Sequence, residues 1–367
     1  MSKTFSDLSR SRLGRLVCLV LVMLLCTRTA RADNTVTVEK VEVLLPPSAG
    51  AAVMAIDDGK VVFKHAWGNL RSDRTESCTV TTNFRLASVS KQFTATAILL
   101  LVDRGVIGLD DTLDRFFPEC PEYWCRISVH HLLTHTSGLP DYEKLIPEGT
   151  TLQLTDLNVL ELLRATIEPL FEPGAKFAYS NSGYALLGLI VEAAADRPFQ
   201  DFIQSEIFEP TGMNRSLLYV AGMNRVPERA YGHELDAENH WIVGDQSLTS
   251  AVRGDGGVYS SLDDLQNWIA TLDQEALLSD SSYTKMFSPH VRTDRGQQDY
   301  GYGWFLDTYR GERRVMHAGG TRGFTLMLQR FPDRHAAVVI LLNRSALEPP
   351  ADYVERIVDC LLFQSDE

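Results

Sequence analysis

The chain has 367 residues, 44% hydrophobic and 23% charged, a balance typical of a folded protein rather than a disordered one. Its 35 Lys and Arg against 48 Asp and Glu give a net charge of −13, which leaves no electrostatic footprint for nucleic acid. Beyond the N-terminal region no stretch of 18 uninterrupted apolar residues occurs, so no later membrane span is expected.

Residues 1–32 read as a secretory signal peptide. Lys3, Arg10, Arg12 and Arg15 form a basic start, and "LVCLVLVMLLC" (Leu16 to Cys26) is an apolar core too short to span a bilayer. Ala30-Arg31-Ala32 then supplies a small-x-small cleavage pattern. An uncleaved N-terminal anchor is the alternative; Leu24 and Leu25 are a poor match to lipid attachment at Cys26. Cleavage leaves 33–367 with 29 basic and 47 acidic residues, a net charge of −18. This part is expected to be one domain of two lobes, periplasmic or secreted, and its oligomeric state is open.

Next, "GAAVMAIDDGKVVFKHAWGNLR" predicts two strands turning at Asp57-Asp58-Gly59-Lys60, because glycine tolerates the positive φ of a tight hairpin. A long region of helical pattern follows. Phe93, Ala97, Leu100 and Leu101 recur at helical spacing with Gly105 as a stop. "NSGYALLGLIVEAAADRP" is a second helix, ended by Pro198, and "SSLDDLQNWIATL" a third, capped by Ser261. The C-terminal part holds four strand-like runs, "YGWFLDTYR", "RRVMHA", "FTLMLQRFP" and "AAVVILLNR", with a turn at Pro332-Asp333 between the last two. "ADYVERIVDCLLF" closes the chain as a helix. Strands at both ends and helices between predict an α+β fold: one antiparallel sheet built from both chain ends, with an inserted helical region.

Four cysteines remain after cleavage. In an oxidising compartment Cys120 and Cys125 of "CPEYWC" can either close a small loop or stay free, and pairing of Cys78 with Cys360 requires the chain ends to meet. No C-x-x-C pair suggests a metal. His131 and His135 stand four apart, as in a helical zinc pair, but without the accompanying glutamate of H-E-x-x-H; a structural role is the expectation. No G-x-S-x-G occurs, which excludes a classical α/β-hydrolase nucleophile.

The candidate chemistry starts at "FRLASVSKQFTATAILLLVDRG", where Ser88 and Lys91 stand three apart ahead of an apolar helix. Such a serine sits near a helix N-terminus, whose free N–H groups favour an oxyanion. A serine hydroxyl needs a base to take its proton, and a lysine serves only if its environment favours the neutral amine. A second S-x-x-K, Ser282 to Lys285, lies in the polar "LLSDSSYTKMF" with no such helix behind it. Ser88-x-x-Lys91, Tyr179-x-Asn181 and His317-x-Gly319, in this order, resemble the three motifs of the serine β-lactamase and penicillin-binding superfamily. The blocks "ISVHHLLTHTSGLPDY", "FEPGAKFAYSNSGYALLG" and "GDGGVYSSLDDLQNW" are similar to those of its class C β-lactamase-like family, over residues 40 to 362.

That resemblance implies a β-lactamase/transpeptidase-like fold and an acyl-enzyme on Ser88, formed without metal or organic cofactor from a small-molecule or peptide substrate. Lys91 and Tyr179 would share proton transfer, as a coupled pair. Asn181 would bond the substrate's amide or ester side chain, His317 and Gly319 would lie on the strand edging the site, and the N–H groups of Ser88 and Gly320 would hold the oxyanion. The third triplet departs from the Lys-Thr-Gly usual in β-lactamases: His317-Ala318-Gly319 offers no fixed cation and no hydroxyl for a substrate carboxylate, unless Arg322 compensates. The expectation is therefore an esterase, D-amino-acid amidase or D-alanyl carboxypeptidase, with a β-lactamase or a non-catalytic ligand sensor as alternatives.

Overall fold

The computed structural model describes residues 38–345 and 351–363, so the expected signal peptide at 1–32 lies outside the described residues. A short helix α1 (38–44) leads into β1 (Gly50–Asp57) and β2 (Lys60–Gly68). Their turn places Asp58 at φ +48° and Gly59 at +69°. Two left-handed central residues match the right-handed twist of the strands, which is why Asp-Gly marks this hairpin.

The chain then adds short strands away from the main sheet: β3 (Phe84–Arg85), β4 (Leu217–Leu218), β5 (His233–Leu235), β6 (Trp241–Val243) and β7 (Val258–Ser260). It returns to that sheet with β8 (Val291–Arg292), β9 (Asp299–Tyr300), β10 (Phe305–Tyr309), β11 (Glu312–Thr321), β12 (Phe324–Phe331) and β13 (Ala336–Leu342). The sheet is antiparallel, in the order β2-β1-β13-β12-β11-β10-β9-β8. Within it β1 pairs with β13, from Ala51↔Leu342 to Ile56↔Ala337, so the two ends of the chain do build one sheet.

Successive side chains of a strand point to opposite faces. Ala51, Val53 and Ala55 of β1, with Val338, Ile340 and Leu342 of β13, pack under α1 and the terminal helix α10, where Val41, Val354, Ile357 and Val358 meet them. Ala52, Met54, Ile56, Val339 and Leu341 face the helical region and join the larger core. Both strands are therefore covered on both faces, which explains their unbroken apolar runs.

The helical region comprises α2 (Lys91–Asp103), α3 (Leu113–Phe116), α4 (Val129–Leu133), α5 (Asp156–Arg164), α6 (Asn181–Ala195), α7 (Phe199–Ile203), α8 (Leu262–Asp273) and α9 (Asp280–Met286); α10 spans Ala351–Leu362. Ser261 caps α8 by accepting from the Asp264 N–H at 3.3 Å, as its sequence predicts. Helix α6 ends at Asp196, left-handed at φ +49°, two residues before the expected stop at Pro198.

The inserted region, mostly helical in pattern, also holds two small sheets, β3-β7-β4 and β5-β6, of strands too short to show a period of two. Ser282 lies inside the seven-residue helix α9. Of the two states left open for Cys120 and Cys125 the structure has the free thiols, and Cys78 and Cys360 are free as well. A 3₁₀ turn at Glu122–Arg126 carries Tyr123 and Trp124 into the core and leaves Cys125 exposed, while burial pushes the Cys78 thiol up to about 12.

Candidate active site

The segment before α2 is built around one accessible side chain. Every residue from 82 to 101 is buried except Ser88, which is half-buried. Ala87 holds φ +45°, a left-handed conformation that disfavours any residue with a Cβ, and it starts the 3₁₀ turn Ala87–Ser90 that carries Ser88. The turn is pinned on both sides: the Leu86 N–H donates to Val258 O at 2.8 Å, and the Val258 N–H donates to Ser90 Oγ at 3.1 Å. Lys91 is the first residue of α2, so the helix begins directly behind the serine.

Lys91 is fully buried. Its ammonium donates to Ser88 Oγ at 3.1 Å, Asn181 Oδ1 at 2.8 Å and the Asp255 backbone carbonyl at 2.9 Å. An ammonium has three donors, and all three are satisfied here. The neutral amine fits the same contacts, since it can keep two donations and accept the Ser88 hydroxyl proton along the third. Tyr179 stands over this group with its ring centroid 5.1 Å from Nζ. Among the described residues no hydrogen bond joins its phenol to Ser88 or Lys91, so contact with Ser88 is made by the lysine alone.

Asn181 opens α6. Besides accepting from Lys91, it donates through Nδ2 to Glu143 Oε1 at 3.1 Å, and its N–H donates to Asp141 Oδ2 at 3.2 Å. Its side chain is thus committed to orienting Lys91. Burial and the neighbouring Asp141 push the Glu143 carboxyl up. The buried carboxylate of Asp255 accepts from Tyr142 Oη at 3.1 Å, and burial raises it to about 7 against the opposing pull of Lys91.

Two buried histidines back the tyrosine, joined through Tyr300. His135 Nδ1 accepts from the Ser180 N–H at 3.3 Å, so the neutral ring carries its proton on Nε2 and donates to Tyr300 Oη at 3.2 Å. Tyr300 in turn donates to His317 Nε2 at 3.2 Å, because His317 Nδ1 donates to the Ala318 carbonyl at 2.7 Å. Every proton has one acceptor only when both rings are neutral. Burial and the charge on Lys91 hold both imidazoles down, His317 to about 3 and His135 well below its ordinary value. The His135 ring packs 4.3 Å from that of Tyr179. This is the structural role expected for His135, and His131 similarly accepts the Ser128 N–H at the start of α4.

His317 is 1% exposed and its nitrogens are used inside the protein. The strand that carries it edges the site: β10 pairs with β11 only from Glu312 to Met316, which leaves 317–321 unpaired on that side. Gly319 explains how close that edge comes. A Cβ there would lie 2.4 Å from Leu86 O and 3.3 Å from Val89 Cγ2, on the turn bearing Ser88. At Gly320 a Cβ would meet nothing within 4 Å. Arg322 does not compensate for the missing lysine, since its guanidinium is taken by Glu234 at 2.6 Å and 3.2 Å and by Gln246 O at 3.2 Å.

The structure thus brings Ser88, Lys91, Tyr179, Asn181 and the Gly319-Gly320 edge together. Sequence reasoning missed Glu143, the Asp255 carbonyl and Tyr300, although Glu143 directly follows the block ending in "LPDY" and Asp255 lies within the block beginning "GDGG". Among the described residues no helix is long and apolar enough to cross a membrane, and no three His, Cys, Asp or Glu side chains gather to hold a metal.

Comparison with known proteins agrees with this geometry. The family model described as Beta-lactamase matches residues 46–362. Penicillin-binding protein 4* of Bacillus subtilis (strain 168) is 33% identical over 323 residues, covering 83% of this chain and 70% of its own. D-aminopeptidase of Gluconobacter oxydans (strain 621H) is 29% identical over 300 residues, covering 81% of this chain; the match takes up only 56% of that relative's length. Among solved structures, the octameric penicillin-binding protein homologue from Pyrococcus abyssi superposes with a TM-score of 0.77 at 26% identity, covering 96% of this chain and 78% of the other.

Proposed function

The chain belongs to the beta-lactamase family of serine hydrolases, and from that premise we propose that it cleaves an ester or amide bond through an acyl-enzyme on Ser88. The observation that carries this reading is the single accessible side chain in a buried segment, Ser88, with its oxygen 3.1 Å from a buried Lys91 Nζ. Loss of the hydroxyl proton to Lys91, acting with Tyr179, frees Oγ to attack the carbonyl carbon. The carbon–leaving-group bond breaks as the leaving group takes up a proton by way of Tyr179, and water, deprotonated by the same pair, then releases the acid. The N–H groups of Ser88 and Gly320 are the proposed oxyanion donors, with Gly319 allowing the strand to approach.

The neutral, internally bonded His317 and the Ala318 beside it favour an esterase or amidase over an efficient β-lactamase, because neither offers a charge to a β-lactam carboxylate. The name of the D-aminopeptidase relative supports an amide substrate of D-configuration. The reading of residues 1–32 as a signal peptide would place this work in the periplasm or outside the cell. The test is a rate comparison across a phenyl ester, a D-alanyl peptide and a cephalosporin. Ester or amide hydrolysis is expected to exceed cephalosporin hydrolysis and to fall at least ~10³-fold in Ser88→Ala. Faster turnover of the cephalosporin, or activity surviving in the variant, would contradict the proposal.

A further inference from the structure

The charged groups around Lys91 include one that the proposed chemistry does not use. Asp255 is buried, and among the described residues its carboxyl meets a single donor, Tyr142 Oη at 3.1 Å. A carboxyl buried with one hydrogen bond costs stability, so its place beside a buried ammonium calls for a reason. Four groups face it: Lys91 at the start of α2, Asp156 at the start of α5, Arg85 on β3 and Tyr142 on the 3₁₀ turn Tyr142–Leu145. Asp156 is taken up by Arg253, whose Nε donates to its Oδ2 at 3.0 Å. Burial favours the acid form of Asp255, while Lys91, Tyr142 and Arg85 favour the carboxylate.

The backbone of the same residue meets Lys91. Its carbonyl takes one of the three Nζ donors at 2.9 Å, from within Arg253-Gly254-Asp255-Gly256-Gly257, where Asp255 brings the one side chain among three glycines. The carbonyls on either side are anchored, Gly254 O by Thr94 Oγ1 at 2.7 Å and Gly256 O by Arg85 Nε at 3.3 Å, and Asp255 itself is anchored by Tyr142. Tyr142 is in turn fixed to the start of α6, its N–H donating to Ser182 Oγ at 2.8 Å, while its neighbours Asp141 and Glu143 accept from the N–H and side-chain amide of Asn181. One short turn therefore supports both acceptors that hold Lys91 besides Ser88.

We propose that Tyr142 and Asp255 are positioning residues for Lys91: together they fix the carbonyl that takes its third donor, and the Asp255 carboxyl sets beside the ammonium a charge that governs how readily its proton leaves. The first effect is geometric, since Nζ must stay aligned with Ser88 Oγ to receive the hydroxyl proton. The second is electrostatic. An ionised carboxyl close by favours the ammonium and restrains the base, whereas a neutral side chain in the same place removes that restraint. Asn181 supplies only the first effect, because its amide carries no charge. This inference rests on the acyl-enzyme reading and adds what aims and tunes its base.

The test follows phenyl acetate hydrolysis across pH in two variants that keep the shape of the buried side chains. Tyr142→Phe, which lacks the hydroxyl, should lower kcat about tenfold with KM within about twofold of wild type, as for a small misalignment of the base. Asp255→Asn keeps an acceptor for Tyr142 but carries no charge, so the acidic limb of its kcat/KM profile should move about one pH unit towards acid. A purely structural role would lower the melting temperature without moving that limb. An acidic limb unmoved in Asp255→Asn, or kcat unchanged in Tyr142→Phe, overturns the inference and leaves the acyl-enzyme reading intact. Hydrolysis that survives in Ser88→Ala removes the acyl-enzyme reading itself, and this inference with it.

Discussion

The chain contains the same four-residue pattern twice, and the two copies have opposite surroundings. At Ser88-Val89-Ser90-Lys91 the serine lies on a 3₁₀ turn outside the helix, open to the cleft, with the lysine buried behind it. At Ser282-Tyr283-Thr284-Lys285 the serine is inside α9, buried, and its hydroxyl donates to Asp103 Oδ1 at 2.6 Å. Asp103 also accepts from the hydroxyl of the α9 cap, Ser279, at 2.7 Å. One hydroxyl is therefore an acceptor facing an amine that can take its proton, and the other is a donor clamped to a carboxylate. Spacing alone sets neither state. The difference comes from Ala87 turning the chain left-handed before the first serine, and from Asn181 and the Asp255 carbonyl gripping the first lysine from ninety and more residues away.

The largest effect expected from breaking this contrast is at the two lysines. Lys91→Met removes the group that meets Ser88 and should lower ester turnover by ~10³-fold, within the range of proton-transfer catalysis. Lys285→Met, whose ammonium has no acceptor among the described residues, should leave turnover within about twofold and stability within about 0.5 kcal/mol. Steady-state rates and denaturant titration of both variants check this.

The two glycines of β11 sharpen the same contrast at the other wall of the site. In Gly319→Ala the new Cβ meets the Leu86 carbonyl, so the strand must withdraw from the turn bearing Ser88, and turnover should fall by ~10²-fold, as for a misplacement of about an ångström. Gly320→Ala has open space and should fold with unchanged melting temperature and retain most of its activity. Equal losses in the two would show that the approach of strand and turn is not what Gly319 provides.

The smallest effect concerns Asp255, whose carbonyl grips Lys91 while its own carboxyl is raised to about 7 by burial. A carboxyl with a folded pKa above its unfolded value of about 3.9 holds a proton in the folded chain that the unfolded chain has lost. Its contribution to stability is full below about pH 4 and is lost as pH rises through about 7. Asp255→Asn lacks this titration and can still accept from Tyr142. The melting temperature of the variant relative to wild type should therefore rise between about pH 5 and pH 8; a constant difference would contradict the assignment.

The parts legible in the sequence are those governed by local rules. The Asp58-Gly59 turn, the double-sided apolar runs of β1 and β13, and the apolar helix behind Ser88 each follow from a short window. Ser88, Lys91 and Tyr179 were legible only as a set, because each motif alone has an ordinary explanation, as Ser282 demonstrates. What could not be read are contacts between distant segments. The Tyr300 hydroxyl joins His135 to His317, Glu143 takes the Asn181 amide, and Arg295 lies over Tyr179, across 17 to 165 residues in the two relay bonds and with no periodic signal in either partner. The free Cys120 and Cys125 have the same origin, since their geometry is set by Tyr123 and Trp124 packing inward.

The most direct measurement is covalent capture. The protein is incubated with a fluorophosphonate, and the modified residue is located by peptide mass spectrometry. The serine beside the buried lysine should carry the adduct, with Ser282 unmodified and ester hydrolysis falling in proportion to labelling. An adduct elsewhere, or full labelling of Ser88 with hydrolysis undiminished, would contradict the claim that environment, rather than the shared pattern, makes one of the two serines a nucleophile.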